Sequence, residues 1–213
     1  MKPILLSTAY LPPISWMAVA MQTEHMGIEL QETFPKQTYR NRCTIATSSG
    51  KLNLTVPVKR INGNHTRTCD IRIDNSNNWQ LLHWRSIITA YNKSPFFLYY
   101  RDQFESLFFK KQEHLVDLNR ELLNELFKAL QIKLLEIFYT NEYVVKSDVY
   151  DLRNSFHPKS LTHHPVKIEF PRYMQSFEEN HGFIPDLSIF DLLFNMGPDA
   201  SQYLVNLKLS FEV

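Results

Sequence analysis

Lys36-Gln-Thr-Tyr-Arg-Asn-Arg42 opens the most basic part of this 213-residue chain. Between positions 36 and 72, Lys36, Arg40, Arg42, Lys51, Lys59, Arg60, Arg67 and Arg72 face a single acid, Asp70. Guanidinium groups present planar, multi-donor forks that match phosphate and carboxylate, and lysine adds a point charge. The run therefore predicts a site for an anionic small molecule, a nucleotide or a sugar phosphate, with Arg40 and Arg42 foremost. The competing reading is a solvated strand face whose cations pair with the acids of the 102–125 region.

A second set is Trp79-x3-His83-Trp84-Arg85-Ser86 running on to Tyr91, followed by Ser94-Pro-Phe-Phe. His83 is the side chain of this stretch that can move a proton near neutral pH, which makes it a general acid or base if its helix borders a pocket. Otherwise it is a histidine satisfied at the edge of a core. Asn154-Ser-Phe-His157-Pro158 places a further histidine beside a serine in a loop, which by itself is no triad. No CxxC, HExxH or HxxxH frames the eight histidines and two cysteines, so no metal site is expected. Walker A, GxGxxG and GxSxG are also missing, and no cofactor is expected.

These groups need elements to hold them. ILLSTAYLPPISWMAVAM, residues 4–21, follows Lys2 and looks at first like an export signal. Pro12 and Pro13 break it, because proline removes a helical donor and pushes the preceding residue towards extended geometry. Residues 4–9 then read as a buried strand, and a helix starts at the prolines and runs to Met21. Thr8, Tyr10 and Pro12 fall in the turn between them, where a ligand could approach. A short strand at 27–31 completes a crossover of the parallel kind. The segment is expected to stay on a cytoplasmic protein, with no membrane insertion.

Further along, 43–47 and 52–58 read as strands joined by a Ser-Ser-Gly-Lys turn, and 69–74 as a third, with Pro57 at an edge or strand end. Trp79–Tyr91 has helical spacing with Asn77 or Asn78 as its cap, and 102–109 and 117–130 are further helices. A strand at 133–139, a polar loop at 148–159, a strand at 166–170 and closing helices at 184–195 and 199–207 complete the pattern. The expected fold is α/β: a mixed, partly parallel central sheet flanked by helices, with a Rossmann-like strand-turn-helix at the N-terminus.

Hydrophobic residues make up 44% of the chain and no repeat or linker interrupts it, so residues 1–213 are expected to form a single domain. A net charge of +1 gives no global case for nucleic acid, and no nucleic-acid motif accompanies the basic run.

Tyr10-Leu-Pro, Tyr39-Arg-Asn-Arg42, Leu54-Thr-Val-Pro-Val58, Trp79 with His83 to Tyr91, and Phe183-Ile-Pro-Asp-Leu-Ser-Ile-Phe-Asp-Leu-Leu-Phe-Asn-x-Gly-Pro198 occur in that order. Together they resemble the WbqC-like proteins of bacteria over nearly the whole chain. The resemblance implies an association with O-antigen and other surface-polysaccharide genes, in a family without an established reaction for which glycine transfer has been suggested. It singles out Arg40, Asn41, Arg42, Thr55, His83 and Tyr91, with Tyr39 beside them. Many relatives carry Gln-Pro before the aromatic-Leu-Pro, where this chain has Ser7-Thr8-Ala9, so a role for that glutamine is vacant here or falls to Thr8.

The leading expectation is a transferase using a nucleotide-activated or other anionic donor in polysaccharide assembly. In it Arg40, Arg42 and Lys59 clamp the anion, Asn41 and Thr8 orient the acceptor, and His83 moves the proton. Tyr10, Pro12, Tyr39, Thr55 and Tyr91 complete the ligand site. The alternative is a non-catalytic sugar-phosphate-binding or scaffold protein of the same assembly machinery. The oligomeric state is left open.

Overall fold

A computed structural model describes residues 3–132, 136–145, 149–158 and 166–211. Its first unit is β1 (Ile4–Ser7), α1 (Ile14–Met21) and β2 (His25–Glu29). Ile14 through Ala20 are all buried, which accounts for a helix without a charge: one that is apolar all round belongs inside. Pro13 is its N-cap, where the proline ring costs no hydrogen bond. The stretch that resembles an export signal is thus a central strand and an internal helix.

The chain continues through β3 (Arg42–Thr47), β4 (Gly50–Thr55), β5 (Val58–Lys59) and β6 (Arg72–Ile73) to α2 (Trp79–Tyr91), α3 (Phe97–Phe109) and α4 (Leu115–Ala129). Then come β7 (Glu136–Tyr139), β8 (Tyr150–Asp151), β9 (Val166–Ile168), α5 (Glu178–His181), α6 (Ile189–Met196), α7 (Asp199–Asn206) and β10 (Leu209–Phe211). The α/β class holds, and the two kinds of strand pairing are segregated. One four-stranded sheet, ordered β7-β2-β1-β8, is parallel at every pair. The antiparallel pairs β3–β4, β5–β6 and β9–β10 stand as separate two-stranded sheets.

Several expected elements change at their ends. The strand expected at 52–58 breaks at Val56 and Pro57 into β4 and β5, because a proline cannot donate to the ladder. Of the strand expected at 69–74 only β6 remains, after a 3-10 turn at Thr68–Asp70, and it pairs with β5 rather than with the hairpin. The polar loop expected at 148–159 contains β8, whose neighbours Val149 and Leu152 are buried. α6 starts only at Ile189, where the Ser188 side chain accepts from Phe190 N–H, and α3 starts earlier than expected. Asn78 is the cap position of α2, without a side-chain capping bond. α5 and β10 were not expected, and residues 133–135 of the expected 133–139 strand lie outside the described residues.

Aromatic packing joins the helices: Phe104 stacks edge-on against Phe190 at 4.8 Å and Phe97 against Phe194 at 5.2 Å. The Asn119 amide of α4 donates to Thr8 Oγ1 at 3.1 Å and to the Arg40 carbonyl at 2.8 Å, fixing the turn after β1. The segment before α6 grips the same turn from the other side, with Ile189 N–H donating to the Pro12 carbonyl and Ile14 N–H to the Leu187 carbonyl. Among the described residues, no helix is long and apolar enough to cross a membrane.

Candidate functional site

The carboxyl ends of the parallel strands carry a buried ion network. Arg153, just past β8, gives two hydrogen bonds of 2.9 Å to the Asp151 carboxylate and one of 3.0 Å to Glu29 at the end of β2. Glu29 is fully buried and also accepts from the Thr140 hydroxyl at 2.7 Å and from Gln31 N–H at 2.8 Å. Arg40, only 2% exposed, donates through Nε to Glu32 at 2.7 Å and through Nη2 to the Arg153 carbonyl at 3.1 Å. These pairs tie the loops above β1 to one another, and the Arg40 guanidinium is matched by a buried partner from its own chain.

The other candidate residues of the sequence divide in two. Thr8, Tyr10, Tyr39, Arg40, Asn41, Arg42, Thr55 and His83 do converge. The Tyr10 hydroxyl lies 2.9 Å from His83 Nδ1, Tyr10 N–H donates to the Tyr39 carbonyl, and His83 also bonds to the Thr55 backbone. Burial, eased slightly by the Thr55 bond, pushes the imidazole down to about 4, so at neutral pH it is uncharged. Burial likewise pushes the Tyr10 and Tyr39 phenols up. Asn41 donates to the Val56 carbonyl at 2.8 Å, and Arg42 reaches Thr55 Oγ1 at 3.1 Å on the outer face of the hairpin. Pro12 is buried in the same turn.

Lys59 and Tyr91 lie apart from this group. Lys59 pairs with Asp74 at 2.9 Å. Tyr91 sits beside Asp191 of α6, and burial followed by that charge pushes its phenol up. Within the basic run the described ion pairs are local, Arg40 with Glu32, Lys59 with Asp74 and Arg67 with Asp70, rather than with acids of the 102–125 region.

An open crevice of about 300 Å³ lies elsewhere on the same edge of the sheet. β1 leads through α1 to β2 on one side while β8 lies on the other, so the strand order reverses beside β1, the place where open α/β sheets take ligands. Ser15 from the first turn of α1, Ser155 and His157 from the loop after β8, Lys167 of β9 and Asp186 line it, with Phe156 and Phe170 as apolar wall. The Asp186 carboxylate accepts from Ser15 N–H at 2.8 Å and from the Ser15 hydroxyl at 2.9 Å, a favourable place for a negative charge at the start of a helix. Its backbone has φ 56°, in the left-handed region that a non-glycine residue adopts at a cost.

The crevice thus brings a titratable imidazole, an ammonium and an oriented carboxylate to one cavity, a set able to transfer a proton and hold a charged ligand. His83, Thr8 and Arg40 are not among the residues lining it. Sequence reasoning noted the Ser155 and His157 loop and missed Ser15, Lys167 and Asp186. Asp186 lies inside the recognisable Phe183-to-Pro198 run, whereas Ser15 and Lys167 carry no signal beyond their types. Among the described residues, no group of three or more His, Cys, Asp and Glu side chains is placed to hold a metal ion.

Comparison with known proteins gives a consistent picture. The WbqC-like protein family matches residues 8–153, a stretch that begins at the turn after β1 and ends at Arg153. An uncharacterised protein of Mycobacterium tuberculosis is 25% identical over 225 residues, covering 95% of this chain and 97% of its own length. No solved structure matches the chain.

Proposed function

The chain belongs to the WbqC-like protein family, and from that premise we propose that it is a group-transferring enzyme whose ligands meet in the crevice beside β1 and β8. The observation that carries this reading is the set His157, Lys167 and Asp186 around one cavity at the strand-order reversal. In this reading Asp186 orients the acceptor, His157 takes the proton from the attacking hydroxyl or amine as it bonds to the transferred group, and the bond from that group to the donor's anionic part breaks, the anion leaving with the electron pair beside Lys167. The buried network of Glu29, Arg40, Asp151 and Arg153 holds the loops that form the crevice. Thr8, Tyr10 and His83 then act as positioning residues, packing the turn from which α1 presents Ser15.

A setting in bacterial surface-polysaccharide assembly rests on the family resemblance. The test is a thermal-shift screen of nucleotide sugars, nucleoside triphosphates and aminoacyl donors, since a ligand bound only by the folded chain raises its melting temperature. One donor class should raise the wild-type value and lose that effect in Lys167→Ala. His157→Ala should keep the shift and lose transfer of the bound group to an acceptor. Binding with no transfer by the wild type to any hydroxyl or amine acceptor would sink the enzyme and leave a binding protein, and no shift from any donor would remove the crevice as the site.

A further inference from the structure

An open cavity of about 430 Å³ shares no lining residue with the crevice. It lies between the β3–β4 turn (Thr47, Ser48), the end of α2 and the residues just after it (Thr89, Asn92, Lys93), and Ser176 with Phe177 ahead of α5. Its volume is that of an ordinary small-molecule site.

The hydrogen-bond directions around it are informative. Thr47 donates its hydroxyl proton to the Gly50 carbonyl at 2.8 Å, and Thr89 donates to the Arg85 carbonyl at 2.8 Å. Ser176 gives its proton to Asn195 Oδ1 at 3.2 Å, so in its 2.8 Å contact with Ser94 it must be the acceptor. Three hydroxyls therefore have their protons committed to the protein; Thr47 Oγ1 also accepts from Ser49 N–H at 3.3 Å and Ser176 from Ser94, which leaves each of the three a lone pair for whatever enters. At the rim the opposite holds. Among the described residues, no hydrogen bond or ion pair engages the side chains of Ser48, Asn92 or Lys93, and Lys93 is the only charged residue of the lining.

We propose that this cavity is a second binding site, for a small hydroxylated anion whose hydroxyls donate to Thr47, Thr89 and Ser176 while its anionic group meets Lys93. Phosphate esters of polyols and hydroxy acids share that chemistry. The test is a titration of the 15N-labelled full chain, followed by amide shifts, with glycerol 3-phosphate and with glycerate as probes. Glycerol, without the charge, and propionate, without the hydroxyls, serve as controls.

Saturable shifts confined to residues 47–48, 88–93 and 176–177 are expected with a hydroxylated anion, stronger than with either control. The tighter of the two probes identifies phosphate ester or carboxylate as the source. Lys93 is exposed, so Lys93→Ala should keep the spectrum of the folded chain and weaken binding by about tenfold, the worth of one charge-assisted hydrogen bond. Failure of both hydroxylated anions to produce saturable shifts, equal binding of propionate, or unchanged affinity in Lys93→Ala would each overturn the site. None of these outcomes bears on the crevice.

Discussion

Asp191 and His83 resist their charged forms for the same reason, and the consequences for stability have opposite signs. Burial pushes the Asp191 carboxyl up to about 6 from 3.8, although Tyr173 O–H and Gln175 Nε2 donate to its Oδ2 at 2.6 and 2.9 Å. The folded chain holds that proton longer than the unfolded chain, so the stability it contributes is full below 3.8 and is lost as pH rises through about 6. His83, lowered from 6.5 to about 4, contributes fully above 6.5 and loses its contribution as pH falls through about 4. Each unit is worth about 1.4 kcal/mol, so over the shared window the two slopes oppose one another. In urea titrations across that window, Asp191→Asn should make stability climb with pH relative to the wild type, and His83→Gln should make it fall; parallel profiles would refute the assignment. The two arginines of the Arg-Asn-Arg motif should also separate. Arg40→Ala leaves Glu32 buried without its partner and should cost about 3–5 kcal/mol, whereas Arg42→Ala on the outer strand face should stay within about 0.5 kcal/mol. The residue types of that motif were legible. Their separation was not, because burial is decided by which face of the fold each neighbour meets.

At the scale of elements, the strand-turn-helix opening was readable because its physics is local: branched apolar residues, then two prolines, then an uncharged helix. β8 was not, since a two-residue strand has no period to detect and exists only because Leu5 offers Asp151 an unpaired edge. The break between α6 and α7 was readable from Gly197-Pro198, and the structure adds the reason that glycine is needed. Gly197 has φ 57°, and a Cβ there would stand 2.5 Å from the Phe96 ring, while Gly182 has φ 69° with open space around it. Both substitutions by alanine carry the left-handed backbone penalty of about 1–3 kcal/mol. Gly197→Ala must also displace the ring, so its melting temperature should fall further than that of Gly182→Ala. Equal losses would mean that the Phe96 contact adds nothing.

For the whole molecule, one hydrophobic cluster runs from Leu6 to Leu207 and includes both Trp16 of α1 and Trp84 of α2, each 1% exposed. Unfolding followed by tryptophan fluorescence and by far-ultraviolet circular dichroism should therefore give coincident midpoints, and two separated midpoints would divide the chain into more than one unit. The sequence by itself determined the α/β class, the internal character of the apolar N-terminal stretch and the family, because apolar period, proline position and ordered motifs are written along the chain. Only the tertiary structure decided which charges are used internally and which face a cavity. Arg40 and His83 meet partners contributed by Glu32 and Arg153, and by Tyr10 and Thr55, while Ser15 meets Lys167 and Asp186 across more than a hundred residues of chain. A side chain's chemistry depends on its solvation and its neighbours, and both are set by packing between distant segments rather than by spacing within one.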